Sequence, residues 1–282
     1  MNRCVKNHPV HGEMLLIDNG VIELGVPLHF GLRVAHFAFL NEPNVFFVQP
    51  RDMTRFCTDE GWRIRGGHRL WLAPETAADY APDNDDITWR IEGETLVCTQ
   101  ARDTTLGVVK TFEITLSENR AQVTHRVQNV SGKTRRAALW ALSVMRPGGT
   151  LRVPLPQREG GMDPLWHLSA WDYTVLGDER LCFEKDAIRV TQRPAAQKLK
   201  IGVGHPAGAV CYETGDVMFY KHIPLDKEGT YPDGGVSFEC FISDDMAEIE
   251  GLSPLFDVTP GQTAVYTEIL ELCRKDGKRS KA

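Results

Sequence analysis

Residues 87–130 read ITWRIEGETLVCTQARDTTLGVVKTFEITLSENRAQVTHRVQNV. Four segments of this stretch, 88–91, 95–101, 108–116 and 121–130, alternate apolar with polar side chains and are rich in Val, Ile, Thr and Phe. Period-two alternation of that kind marks strands with one face buried. The connections Glu92-Gly93-Glu94 and Ser117-Glu118-Asn119 are too short to cross over a sheet, so consecutive strands must run antiparallel. The stretch predicts an antiparallel meander.

The same pattern extends in both directions. Segments 14–17 and 21–26 flank Asp18-Asn19-Gly20, an Asn-Gly turn suited to a tight hairpin. Segment 32–39 alternates as one half-buried strand, with 44–49 as its neighbour. The apolar run 137–145, which carries Trp140, fits a strand buried on both faces or a short buried helix. Residues 154–186 are the least regular and hold Trp166, His167, Trp171 and Tyr173 in a loop-like context. Strand patterns resume at 187–192, 199–203, 209–213, 217–222, 235–242, 246–250, 255–258 and 263–272. Roughly eighteen strand candidates at short spacing, with no long amphipathic helix and no fixed repeat, predict a large all-β sandwich. No linker divides the chain, so residues 1–273 are expected to form one domain, followed by a basic tail at 274–282.

Composition narrows the function. The chain has 282 residues, 42% of them hydrophobic, and a net charge of −6. An acidic surface argues against nucleic-acid binding, and no apolar run approaches the roughly 20 residues of a membrane helix. Seven scattered cysteines form no CxxC pair and no metal-like cluster with histidines, and the first twelve residues lack the apolar core of a signal peptide. These features lead to the expectation of a cytoplasmic protein with no metal and no membrane partner.

Chemistry concentrates in a few places. Gly66-Gly67-His68-Arg69-Leu70-Trp71 combines two flexible residues, a proton-transfer group, a forked cation and a flat apolar platform. Bland alternatives are a turn-capping histidine, an Arg69–Glu75 ion pair and a core tryptophan. In 246–250, Glu248 and Glu250 fall on one face of a strand, either lining a cleft or facing solvent. Glu239 on the preceding strand lines the same cleft or the surface. Lys221-His222 closes a strand at a possible cleft edge or an ordinary surface, and Tyr231-Pro232-Asp233-Gly234-Gly235 is a turn whose Tyr231 and Asp233 are candidates for the rim. Trp140 reads as core, His125 as part of an alternating strand, and the acidic segment Tyr80 to Asp86 as a solvated loop.

Three segments together resemble the galactose mutarotase-like superfamily, the aldose 1-epimerases and their relatives. They are Gly66 to Trp71, the strand-turn Val127-Gln128-Asn129-Val130-Ser131-Gly132-Lys133, and the C-terminal block Glu248-Ile249-Glu250-Gly251-Leu252-Ser253-Pro254 with Val258-Thr259-Pro260-Gly261-Gln262-Thr263. Within the superfamily the chain looks most like an uncharacterised bacterial branch. The resemblance implies an antiparallel supersandwich and a cofactor-free isomerase acting at the anomeric centre of a sugar. In that scheme Glu250 is the base, His68 or His222 the acid, and Arg69, Trp71, Lys221, Tyr231, Asp233, Glu239 and Glu248 contact substrate. Arg69 hints at an anionic sugar, an acid or a phosphate. One departure is plain: where the aldose 1-epimerases carry a second histidine, this chain has Leu139 to Met145 without one. That departure keeps open a non-catalytic carbohydrate-binding protein and, lower, a domain related to polysaccharide lyases or hydrolases. A monomer or homodimer is expected.

Overall fold

A computed structural model describes residues 1–275. Its strands form sheets of four, ten and eight strands, all antiparallel, and the one helix among the described residues is a 3-10 turn, Ala77–Tyr80. No helix among them is long and apolar enough to cross a membrane. The predicted meander is present as Ile87–Glu92, Thr95–Gln100, Val108–Ser117 and Arg120–Asn129, at one end of the ten-stranded sheet. The Asn-Gly hairpin joins Gly12–Asp18 to Ile22–Pro27 in the four-stranded sheet, where Asn2–His8 adds an edge strand that the polar N-terminus did not suggest.

Two expectations need correction. Segment 32–39 is not one strand: Arg33–Val34 pairs with Gly67–Ala73 in the eight-stranded sheet, whereas His36–Phe39 pairs with Ile22–Pro27 in the four-stranded one. The chain changes sheets at Ala35, whose amide donates to Gly25 O at 2.8 Å. Uniform alternation conceals such a switch. At the other end, Arg274 belongs to the strand Thr263–Arg274 rather than to a tail, and the expectation for 276–282 falls outside the described residues.

The eight-stranded sheet carries the strands that matter for function. Its central order is Leu199–Val203, Phe238–Ile242, Ala247–Leu252, Arg135–Met145, Gly67–Ala73, Arg33–Val34. Alternation sorts each strand onto two faces. Leu70, Leu72, Leu139, Ala141, Ile249 and Cys240 pack inward with Phe112, Phe219 and Tyr212 of the ten-stranded sheet, forming the main core. On the opposite face Trp71, Trp140, Leu142 and Val144 form a second apolar cluster with Trp62 and Phe47. Both faces of the 135–145 strand are buried, as its unbroken apolar run predicts.

A polar knot ties the two large sheets together inside the main core. The Lys221 ammonium donates to Ala141 O at 2.7 Å and lies 3.3 Å from the Glu268 carboxylate. His68 Nδ1 meets Ser143 Oγ at 2.9 Å and its Nε2 meets His125 Nε2 at 3.2 Å. Tyr266 donates to Glu268 Oε1 at 3.2 Å. His68, His125 and Glu268 present ligand-type atoms within 4.8 Å of one another, close enough to hold a metal ion, but the charge of Glu268 is already matched by Lys221. The knot sits close against backbone, because a Cβ at Gly251 would collide with Glu268 Oε1. Gly251→Ala is therefore expected to destabilise the protein by about 1–3 kcal/mol through overpacking. Chemical denaturation measures this, and an unchanged midpoint would show that Glu268 has room to swing away.

Candidate functional site

The outer face of the eight-stranded sheet floors a cleft of about 1010 Å³. Register builds its floor: Glu239 pairs with Glu250, Glu250 with Leu142, and Leu142 with Arg69, so these side chains form one row across four strands. Trp140 lies beside Trp71 in the next row. The walls come from loops, with Trp62 and Tyr80 on one side and Trp171 and Tyr173 on the other. Trp62, Trp71 and Tyr80 contact one another at 5.0–5.6 Å between ring centroids, and Trp71 also contacts Trp140 at 5.6 Å. Aromatic rings with polar groups between them suit a ligand that has both flat apolar faces and hydroxyls.

The polar groups are arranged around two cations. Arg69 Nη2 donates to Glu248 Oε1 at 3.0 Å, and its guanidinium stacks 4.5 Å from the Trp71 ring. The Lys200 ammonium sits between two indoles, 4.5 Å from Trp140 and 4.6 Å from Trp171. Beneath the indoles it reaches Glu239 at 2.9 Å and Glu250 at 3.3 Å, while Trp140 Nε1 donates to Glu250 Oε2 at 2.9 Å. Three buried carboxylates thus share two cations. Burial raises the pKa of Glu248 and lifts that of Glu239 well above the carboxylate range, against the pull of Arg69 and Lys200 respectively. Burial alone would lower Lys200, but Glu250 and Glu239 outweigh it and hold the ammonium charged. Three carboxylates around two cations leave one of them without a counter-ion, which disfavours full ionisation of the group.

The candidate residues divide by face. Arg69, Trp71 and Glu248 line the cleft. Glu239 and Glu250 lie under its floor, 1% and 0% exposed, where they hold Lys200. His68 belongs to neither group: strand alternation turns it away from Arg69 into the inter-sheet knot, where burial keeps it neutral and well below its usual pKa. Lys221 is likewise in the knot rather than at a cleft edge, and burial lowers its pKa against the pull of Glu268. His222 is on the opposite face of the same strand and pairs with Glu271 at 2.7 Å. The cleft-edge expectation is corrected for both residues, since the strand Val217–His222 belongs to the ten-stranded sheet, whereas the surface alternative holds for His222. Tyr231 is buried, and its hydroxyl accepts from the Asp226 amide at 2.9 Å. Asp233 adopts φ 53° and accepts from Ser169 through its backbone carbonyl. Neither lines the cleft. No histidine is among the lining residues.

Sequence reasoning passed over Lys200, Trp171, Tyr173, Tyr80 and Trp62 as site residues; its core reading of Trp140 holds, and the same buried ring also lines the cleft. A signal existed for Lys200: it is the only charge in the strand Leu199–Val203, on the face opposite Leu199, Ile201 and Val203. The acidic loop after Tyr80 is also less solvated than expected, because Asp83 pairs with the buried Arg33.

No protein-family model matches the sequence, and no curated protein matches it. Solved structures do. A galactose mutarotase-like protein from Lactobacillus casei superposes with a TM-score of 0.56 at 11% identity, covering 92% of this chain and 100% of that one. A galactose mutarotase-like protein from Clostridium acetobutylicum gives 0.56 at 10% identity, covering 96% and 99%. A TPR-domain containing protein from Parabacteroides distasonis gives 0.61 at 12% identity, covering 92% of this chain but 47% of that one, so the chain spans about half its length. Likeness over nearly the whole chain agrees with the three segments that carried the resemblance in sequence: the fold is that of the galactose mutarotase-like proteins.

Proposed function

We propose that the cleft binds a carbohydrate and that the protein interconverts its anomers without a cofactor, with Glu248 exchanging the proton. The observation that carries this reading is the group of three buried carboxylates held by two cations beneath aromatic walls. Opening a cyclic hemiacetal needs one group to take the anomeric proton and another to protonate the ring oxygen. Glu248 is the carboxyl of the three that faces the cleft, and burial raises its pKa. In its protonated form one carboxyl oxygen gives its proton to the ring oxygen while the other takes the anomeric proton, so the group ends as it began. Glu250, matched to the base of the aldose 1-epimerases by sequence, acts here from below by fixing Lys200 and Trp140. The sugar is neutral rather than anionic in this reading, since Arg69 and Lys200 are already engaged by carboxylates.

Anomer exchange of freshly dissolved aldoses, uronic acids and sugar phosphates, followed by NMR, tests the proposal. Acceleration of a neutral aldose is expected, and Glu248→Gln should reduce it about 100-fold, the low end for a lost general acid or base. An unaltered rate in that variant removes Glu248 from the mechanism. A second reading, binding without catalysis, draws on the absence of a histidine from the lining and on the sealed position of Glu250. Measurable binding with exchange no faster than in buffer would select it.

A further inference from the structure

A second cavity, of about 280 Å³, lies outside the cleft and shares no lining residue with it. Val10 and His11 reach it from the turn between Asn2–His8 and Gly12–Asp18, and Gln49, Arg51, Arg63 and Arg65 from the irregular chain ahead of Gly67–Ala73. Three of these six residues are arginines and none is acidic, in a chain whose net charge is −6. Successive side chains alternate here: Trp62 and Ile64 line the cleft, whereas Arg63 and Arg65 line this cavity. Burial, and after it the charge of Arg63, lower the pKa of Arg65 against the pull of Asp83. Like charges are therefore held close.

Carboxylates answer little of this charge. Arg63 Nη2 donates to the carbonyls of Pro50, Arg51 and Met53, and neither Arg51 nor Arg63 has an ion-pair partner among the described residues. Arg65 Nε stands 3.9 Å from Asp83, whose closer partner is Arg33. His11 adds an observation that packing leaves unexplained. It is 6% exposed and stacks on His8, yet its Nε2 has no hydrogen-bond partner. Arg65 Nε is a second buried nitrogen without one. Buried polar atoms are almost always paired, so two unpaired nitrogens in one lining mark a place for water or a guest. Burial, then the charges of His8, Arg33 and Arg65, bring His11 to about 3, so its ring is neutral in a positive field.

We infer that this cavity binds a phosphate-type oxyanion, either inorganic phosphate or the phosphate group of a small ester, at a site separate from the cleft. Guanidiniums converging from different points of the chain suit tetrahedrally placed oxygens better than the two coplanar oxygens of a carboxylate. Val10 is the one apolar residue of the lining, so the site recognises charge rather than an apolar body. The inference does not rest on the carbohydrate reading of the cleft.

Calorimetric titration of the full chain with sodium phosphate and with glycerol phosphate, at neutral pH and low ionic strength, tests it. Saturable binding of at least one is expected, and the imidazole resonances of His11 should move with it in NMR spectra. Arg51 is exposed, so Arg51→Glu leaves the core untouched and should weaken binding about tenfold or more. Thermal melts confirm that the variant is folded. Tighter binding of the ester identifies the phosphate as part of a larger ligand, and equal or weaker binding identifies inorganic phosphate; either supports the site. Four results overturn it: no saturable binding of either probe, undiminished binding in Arg51→Glu, binding that leaves His11 unmoved, or the same His11 movement with sodium chloride at matched ionic strength.

Discussion

Replacing Lys200 with methionine is expected to lower the unfolding free energy by about 3–5 kcal/mol, the range for breaking a buried ion pair by removing one partner. The reason lies under the cleft floor. Glu239 and Glu250 are 1% and 0% exposed and both approach the Lys200 ammonium. Without that charge the two carboxylates face each other across the register pair with no cation between them. One or both then take up protons, and the indoles of Trp140 and Trp171 lose the ammonium that separates them. Urea denaturation at neutral pH reads the loss directly. Adding Glu239→Gln to Lys200→Met should recover part of it, because the pair is costly chiefly when half of it remains. A loss under about 1 kcal/mol would mean that water reaches the two carboxylates, contrary to their burial.

Acidification is the second large effect. Burial depresses His68 well below 6.5, lowers His125, brings His36 to about 4, and brings His11 to about 3 with help from the charges of His8 and Arg33. A depressed folded-state pKa contributes stability that is complete above the unfolded value of 6.5 and is lost as pH falls toward the folded value. Between pH 7.5 and 5, His36 and His11 should each cost about 2 kcal/mol, at about 1.36 kcal/mol per pH unit below 6.5, and His68 and His125 add to the loss in the same direction. Glu239 and Glu248 act in the opposite sense. Their raised pKa values favour the folded state at low pH, and that contribution is lost as pH rises above 4.5. The histidines are more numerous, so the net expectation is a loss of several kcal/mol before ordinary carboxylates titrate. Paired replacement of His68 and His125 by leucine should flatten the profile while retaining Lys221 and Glu268. Stability that holds level or rises from pH 7.5 to 5 would contradict the neutral, sealed state of these rings.

Much of the architecture is legible in the chain because strands announce themselves locally. The 87–130 meander needs only alternation and short turns, and both survive intact in the fold. The common face of Glu248 and Glu250 is likewise forced by strand geometry. What alternation cannot supply is which of the two faces meets solvent. His68 and Arg69 are adjacent and both polar, and one goes to the knot and the other to the cleft because of sheets formed by residues far away in sequence. The walls were illegible for a different reason. Trp171 and Tyr173 lie in irregular chain, where no period relates a side chain to a direction. Depth defeated the reading of Glu250: sequence identifies a carboxylate on the right face but not the lysine and indole that cover it.

Gly66 and Gly67 acquire a meaning from this that flexibility does not capture. Both have positive φ, 88° and 78°, and a Cβ on either would strike a neighbouring carbonyl, Phe47 O or Val34 O. They fix the phase at which the chain enters the strand Gly67–Ala73. A slip of one residue would invert every side chain in it, pushing a guanidinium among Phe112 and Ser143 and turning an imidazole toward the cleft. Two proteins of this shape could therefore differ by a single inserted residue ahead of the strand and exchange a cation-floored pocket for a histidine-floored one. The glycine pair works as a phase lock, and it sets the chemistry offered to the cleft before any cleft residue is chosen.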